Sequence, residues 1–371
     1  MSGAVSIEIT SREGEARAGV LHTPHGSVPT PTFMPVGTKG TVKGLTPGDL
    51  ENIGAGVVLG NTYHLYFRPG VEIVKEAGGL HGFSRWGGPM LTDSGGYQVF
   101  SLAKTRKINE EGVEFASVYD GSIHAFTPEF TTRVQEDLGA DISMVLDECP
   151  PPNAEREYHE ASLRRTARWA ERCKAAHTRE SQSLFGIVQG GLFPDLREES
   201  LSLTTDIGFD GYAVGGLSVG ESREEMLSML SLVSPNLPSD KPRYFMGIGD
   251  PVGILEVIRL GVDMFDCVLP TRLARHGSVL TKDGRMNLKN ARFRRDFSPL
   301  DSECGCEACS EYSRAYLSHL VREDELLGHR MLTHHNVHFV TELCREAREH
   351  ISAGDFEGWM ENFKRRFSGG E

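Results

Sequence analysis

Short apolar runs alternate along the chain with amphipathic stretches. Eight runs, at 41–45, 57–65, 90–95, 142–149, 184–190, 211–216, 243–249 and 262–269, are rich in β-branched and large apolar residues. Most are apolar at consecutive positions, the pattern of parallel strands buried on both faces. Helical spacing fills most of the gaps. The clearest case is 155–179, where Leu163, Ala167, Ala170 and Lys174 recur at intervals of three and four. Other helices open on start signals: Thr127-Pro128-Glu129, Pro47-Gly48-Asp49 and Asp250-Pro251. Eight such units predict an α/β fold, a (β/α)8 TIM barrel, ahead of an open doubly wound sheet.

Three stretches depart from the alternation. Residues 1–35 read as short β segments, an N-terminal β cap on the barrel bottom. Residues 112–126 alternate as a hairpin around Asp120-Gly121, which predicts an insertion in a βα loop at about 108–126. Beyond Pro270 the composition changes. The expected division is a catalytic barrel core at 1–275 and a smaller C-terminal subdomain at 276–371.

With 39% hydrophobic and 25% charged residues, the 371-residue chain has the makings of a globular core. No apolar run approaches the length of a membrane span. Met1-Ser2-Gly3-Ala4 lacks the basic start and apolar stretch of a secretory signal, and the seven cysteines are an odd number. The expectation is a cytoplasmic protein with reduced thiols. A net charge of −13 argues against nonspecific polyanion binding but leaves room for a local basic face.

Barrel chemistry sits at the C-terminal ends of the strands. There the runs end in Asn61, Asp93, Asp147-Glu148, Gln189, Gly215-Gly216, Gly247 and Asp266. A single Asp after a strand commonly caps the next helix. Several strand ends bearing acids or amides, flanked by glycines, exceed that expectation. Carboxylates accept from the paired N–H groups of a guanine edge, Gln pairs with a carbonyl or ring nitrogen, and glycine N–H groups donate. Tyr97 or Met246 can stack on a base. A purine pocket suits this inventory; sugar or amino-acid substrates would suit it too. Asp266, in apolar surroundings, fits a nucleophile at an anomeric carbon working with a second acid. Its plainer role is a buried carboxylate bonded to loop amides.

Cys304-x-Cys306-x-x-Cys309 supplies three thiolates, and His334, His335 and His338 follow 25, 26 and 29 residues after Cys309. Four protein ligands make a closed, structural zinc site; spacing leaves the choice of His334 or His335 open. Between Pro270 and Arg295 lie Arg272, Arg275, Lys282, Arg285, Lys289, Arg292, Arg294 and Arg295 against only Asp283. A base-sized pocket, a nucleophilic acid, a zinc module and a basic flank together point to glycosidic-bond chemistry on RNA.

Six segments carry a resemblance to a known family. They are Leu91-Thr-Asp-Ser-Gly-Gly-Tyr-Gln98, Asp147-Glu-Cys149, Gly186-Ile-Val-Gln-Gly-Gly191, Ala213-Val-Gly-Gly-Leu217, Phe265-Asp-Cys-Val-Leu-Pro-Thr-Arg272 and the Cys-x-Cys-x-x-Cys…His set. In this order they resemble the bacterial queuine tRNA-ribosyltransferases, or tRNA-guanine transglycosylases, from about residue 7 to the C-terminus. The resemblance implies exchange of guanine at wobble position 34 of tRNAs with GUN anticodons. The incoming base is the queuosine precursor preQ1 (7-aminomethyl-7-deazaguanine). It implies Asp266 as the nucleophile at ribose C1′ and Asp93 as general acid/base. Ser94, Gly95, Gly96, Tyr97, Asp147, Gln189, Gly216, Leu217 and Met246 would form the base pocket. Gly247, Ile248, Gly249, Asp250, Pro251, Val252 and Gly253 would meet tRNA, as would Thr271, Arg272, Leu273, Ala274 and Arg275. Cys304, Cys306, Cys309 and His335 would hold one structural Zn2+ per subunit of a homodimer.

Pro150-Pro151-Pro152 and Asp250 depart from the family pattern, where Thr-Pro-Tyr and a cationic or neutral residue are the expectation. Val219 is bulkier than the residue expected in queuine users, which favours preQ1 and guanine over queuine. The length matches the bacterial subgroup. A noncatalytic tRNA-binding partner, as among eukaryotic relatives, would lack the nucleophile or the zinc set. A sugar-processing barrel hydrolase has no need of the zinc module and basic flank.

Overall fold

Eight parallel strands close into a barrel in the computed structural model, which describes residues 4–102, 106–151 and 153–369. Met1, Ser2, Gly3 and Pro152 thus lie outside the described residues. In chain order the strands are β1 (Thr32–Gly37), β2 (Val58–Gly60), β3 (Met90–Thr92), β4 (Ile142–Met144), β5 (Ser183–Val188), β6 (Gly211–Val214), β7 (Arg243–Phe245) and β8 (Met264–Cys267). β8 pairs with β1 from Met264↔Thr32 to Cys267↔Pro35, and β3 with β4, so the ring closes. The TIM barrel holds over the open sheet. Phe33, Phe185, Phe245 and Phe265 are buried in its core, as the unbroken apolar runs require.

Seven strands overlap the predicted runs, and the first does not. The run at 41–45 is a turn, and Thr32–Gly37, counted with the N-terminal segments, is the true β1. Pro35 masks it. Proline lacks the ladder N–H and is unusual within a central strand. The second run is also shorter than expected, because Asn61 caps a helical turn at Thr62–Leu65 and accepts from His64 N at 3.1 Å.

The three helix starts read from sequence are all capped as expected. Thr127 accepts from Phe130 N, Asp250 from Gly253 N, and Thr46 forms a capping box with Asp49.

An antiparallel sheet of Ser6–Glu13, Ala16–Thr23 and Gly26–Thr30 lies across the N-terminal ends of the barrel strands. Val5 N donates to Ser183 Oγ at the start of β5 (2.9 Å). Arg17, fully buried, donates to Asp263 (2.8 Å) just before β8 and to the Lys241 carbonyl (2.7 Å). Asp263 also accepts from Arg243 N (2.7 Å). A buried charge pair persists only when its remaining hydrogen bonds are met in this way. The floor is closed, and the opposite rim is left for chemistry.

On the rim side, Arg106–Ile108, Val113–Ala116 and Ile123–Phe126 form a three-stranded antiparallel sheet between β3 and β4. It rests on an aromatic cluster of Tyr63, Phe100, Phe115 and Phe126. After β8 come the helix Leu269–Arg275, a hairpin of Ser278–Thr281 with Gly284–Asn287, a 3-10 turn and two short α-helices, and a 28-residue helix at Leu326–Ala353. That long helix joins three apolar clusters. Met331 and Leu332 pack beside the cysteines, Val337 packs beneath β2, and Phe339, Val340 and Leu343 enter the main core.

Candidate active site and metal cluster

Asp93 follows β3 directly. Asn61 Nδ2 donates to its Oδ2 at 2.6 Å and Thr62 N to its Oδ1 at 3.0 Å. Asp93 is thereby clamped by the residues that end β2. The residue as a whole is half-buried. Burial, reinforced by the nearby charge of Asp266, pushes its carboxyl up to about 7. Hydrogen bonds from Thr62, Gly95 and Gln98 act in the other direction.

Asp266 lies in β8, on the other side of the β8–β1–β2–β3 arc. Tyr244 Oη donates to its Oδ1 at 2.6 Å, and Gly247 N donates at 3.1 Å. Burial raises its carboxyl above the ordinary range, and these two donors favour the ionised form. Tyr244 is wholly enclosed. Burial and the neighbouring Asp266 lift its phenol far above normal, so it stays a donor. The result is two carboxyls of different character: Asp93 shares its proton near neutrality, and Asp266 is held by dedicated donors.

The third acid, Asp147, is buried beyond the end of β4. Gln189 Nε2 donates to its Oδ2 at 2.7 Å. Burial pushes its carboxyl up to about 6, with the Gln189 bond opposing. Gln189 Oε1 is buried and finds no partner among the described residues. It faces Gly216, whose added Cβ would stand 2.3 Å away and whose φ is +65°; only glycine fits there. Gly96 is equally confined, its added Cβ lying 2.8 Å from the Asp147 carbonyl. Ser94 and Gly95 are buried, Tyr97 is exposed, Leu217 is buried, and Met246 Sδ lies over Gly215. Bare backbone, a buried acid and an unsatisfied amide oxygen are thus brought together at the ends of β4, β5 and β6. A cavity continues past Gln189 and Gly216 to Pro150, Val219 and Glu221.

Glu148, counted among the rim acids, turns the other way: it is buried, pairs with Arg165 and accepts from Tyr158. Of the segment 247–253, Gly247 is exposed, whereas Ile248, Gly249, Pro251 and Gly253 are buried and Val252 is half-buried. Asp250 is occupied by its cap and by Arg223 at 2.8 Å. In the helix Leu269–Arg275, Leu273 and Ala274 point into apolar cores, Thr271 is buried, and Arg272 is exposed. Half-buried Arg275 donates to the Thr271 carbonyl at 3.0 Å. Lys282 of the basic stretch is taken up by Glu346 at 2.8 Å.

Several contributors carried no sequence signal. Thr62 and Tyr244 lie inside the predicted apolar runs and touch the acids they hold. Arg197, on the helix Pro194–Ile207, looks like a surface charge but is fully buried. It donates to the carbonyls of Gly191 (2.8 Å), Val188 (3.1 Å), Gly215 (2.8 Å) and Gly216 (3.2 Å). One guanidinium therefore sets the ends of β5 and β6. Burial lowers it to about 10. Glu221 similarly collects Val219 N (3.0 Å) and Gly220 N (3.1 Å), shaping the turn after β6.

The ligand atoms of Cys304, Cys306, Cys309 and His335 converge as a group that can hold a metal ion. His335 Nδ1 lies 3.7, 3.4 and 3.3 Å from the three sulfurs in chain order. Its Nε2 is 2.7 Å from the Leu280 carbonyl. Donation there fixes the tautomer and leaves Nδ1 free to ligate. His334 stands outside the cluster, with Nδ1 buried and without a partner among the described residues.

A family model described as queuine tRNA-ribosyltransferase matches residues 12–369. Queuine tRNA-ribosyltransferase of Desulforamulus reducens is 54% identical over 366 residues, covering 99% of each chain. That of Natranaerobius thermophilus is 53% identical over 368 residues, covering 99% of this chain and 100% of the relative. With a match this long over a barrel whose rim carries paired carboxylates, the chain belongs to the queuine tRNA-ribosyltransferase family.

Proposed function

We propose that this chain is a pentosyltransferase acting on tRNA, a tRNA-guanine transglycosylase that replaces guanine 34 of GUN anticodons with preQ1. The observation that carries the reading is the unequal pair of rim acids, Asp93 near 7 and Asp266 held by Tyr244 and Gly247. Asp266 attacks ribose C1′ as the C1′–N9 bond breaks. The bonding pair leaves with guanine, and a proton from Asp93 neutralises it. Asp93 then takes the proton of the incoming base, whose N9 attacks C1′ and releases the Asp266 carboxylate. Two displacements retain the anomeric configuration.

Asp147 accepts from the guanine N1–H and N2–H edge, Gln189 and Gly216 address the carbonyl, and Tyr97 and Met246 cover the ring. The Leu217 carbonyl receives the aminomethyl cation of preQ1. Val219, lining the adjoining cavity, excludes the larger queuine. Gly247–Gly253 and Thr271–Arg275, which follow β7 and β8, meet the anticodon loop, with Gly247 and Arg272 exposed to it. Cys304, Cys306, Cys309 and His335 suit Zn2+ by donor set, and the ion supplies fold stability with no open position for catalysis. The enzyme works in the cytoplasm as a homodimer.

Incubation with GUN tRNA and labelled preQ1, guanine or queuine tests the reading. Wild type inserts the first two and poorly inserts the third, and denaturing gels trap an RNA–protein adduct. Asp266→Asn loses both adduct and turnover, while Asp93→Asn loses turnover and keeps tRNA binding. An adduct that survives Asp266→Asn would reverse the assignment, and absence of incorporation by wild type would reject it.

A further inference from the structure

Arg197 is a buried cation whose acceptors are all main-chain carbonyls. Its fully enclosed guanidinium donates to Gly191, Val188, Gly215 and Gly216, and no carboxylate is among these partners. Taking a charge out of water is costly unless something of opposite sign answers it. Burial lowers this guanidinium only to about 10, so it stays charged at neutral pH. A neutral amide could satisfy such carbonyls; a full positive charge goes beyond that need.

The peptide group determines what the charge reaches. The bonds joining Gly215 to Gly216 and Gly216 to Leu217 are trans. Each carbonyl and the N–H of the following residue therefore point opposite ways across one plane. The left-handed turn at Gly216, with φ +65°, sets both carbonyls on the guanidinium. The N–H groups of Gly216 and Leu217 are left on the far side, and neither donates to another main-chain group among the described residues. Successive N–H groups in such a turn form a concavity for an anion or a carbonyl oxygen. The next three, of Ser218, Val219 and Gly220, are already taken by the Glu221 carboxylate. The free pair borders Gln189, the buried amide bonded to Asp147.

Building on the reading that Gly216 addresses the base carbonyl, we propose that Arg197 is a positioning residue for the departing guanine. Through two peptide groups it orients and polarises the N–H groups of Gly216 and Leu217 against the exocyclic oxygen of the base. As the C1′–N9 bond breaks, the bonding pair moves into the purine, and part of the charge reaches that oxygen. The two donors then matter most in the transition state, the logic of an oxyanion hole. Arg197 acts from behind the main chain.

Calorimetric titration of the full-length protein with guanine and with 6-thioguanine tests this. Sulfur at that position is a poor acceptor, while the N1–H and N2–H edge is kept. Wild type prefers guanine. Arg197→Gln, which retains amide donors without the charge, narrows the preference about tenfold, the gap between charge-assisted and neutral hydrogen bonds. It also lowers kcat about a hundredfold with little change in KM for tRNA. Arg197→Lys keeps most of the preference and of the rate. A merely structural arginine would weaken both bases alike. Should Arg197→Gln fail to fold, wild type supplies a second measurement. The nitrogen-15 guanidinium resonance of Arg197, identified by its loss in Arg197→Lys, shifts on binding guanine and much less on binding 6-thioguanine. An unaltered preference in Arg197→Gln, or a resonance that does not respond to guanine, would overturn the proposal. Wild type that binds both bases equally would overturn the Gly216 assignment itself, and this inference with it.

Discussion

At the scale of residues, the proposed site is a set of carboxyls that burial pushes upward and hydrogen bonds hold back. Asp147 offers the cleanest consequence. Its carboxyl titrates at about 6 in the folded protein. Under the proposed assignment, above that value it is ionised and accepts from the donor edge of guanine. Below it, one oxygen becomes a donor facing donors. Equilibrium affinity for free guanine should therefore fall about tenfold per pH unit below 6 and level off above it. Asp147→Asn should bind weakly at every pH and lose the dependence. Calorimetric titration across this range checks both, and a flat profile for wild type would refute the role. The acids themselves were legible in the sequence because strand ends in a barrel announce them. Their holders were not. Tyr244 and Thr62 are ordinary core-compatible residues, and Arg197 is a charge on a helix until the fold buries it against four carbonyls.

Among the elements, the long helix Leu326–Ala353 does the most joining. His335 faces the cysteines, while its neighbour Asn336 receives Leu280 N (2.9 Å) and donates to the Pro270 and Ser278 carbonyls (3.0 Å each). The cysteine–histidine cluster is thus tied to the segment that follows β8. Cys304→Ser should lower bound zinc and reduce thermal stability, since a structural ion supplies on the order of 10 kcal/mol in small modules. Metal analysis together with a melting curve decides it. Zinc content unchanged by the substitution would show that Cys304 is no ligand. The cysteine spacing was plain in the sequence, and the choice of His335 over His334 came by resemblance. Periodicity found seven barrel strands and missed β1, because Pro35 breaks the local pattern and the β8 ladder supplies what local propensity lacks.

For the whole molecule, an excess of acids coexists with cations beside the rim. Asp250 illustrates how the conflict is resolved: the helix cap and Arg223 absorb its charge. Arg272 stands exposed shortly after β8, the strand that carries Asp266. Replacing Arg272 or Arg275 with Ala should weaken tRNA binding and lower the salt-dependence slope by about 0.7–0.9 per lost phosphate contact. Filter binding at several salt concentrations measures it, and unchanged slopes for both variants would move the RNA elsewhere. Free-base affinity should hardly change. The ring order of the strands carries one more implication. Asp147, Gln189 and Gly216 follow β4, β5 and β6, whereas Asp93 and Asp266 belong to β3 and β8. Under the proposed assignment, the vocabulary for choosing a base and the machinery for moving it occupy separate arcs of one circle. Selection can therefore redraw the three reading positions and recruit a new purine analogue while the older chemistry is inherited intact.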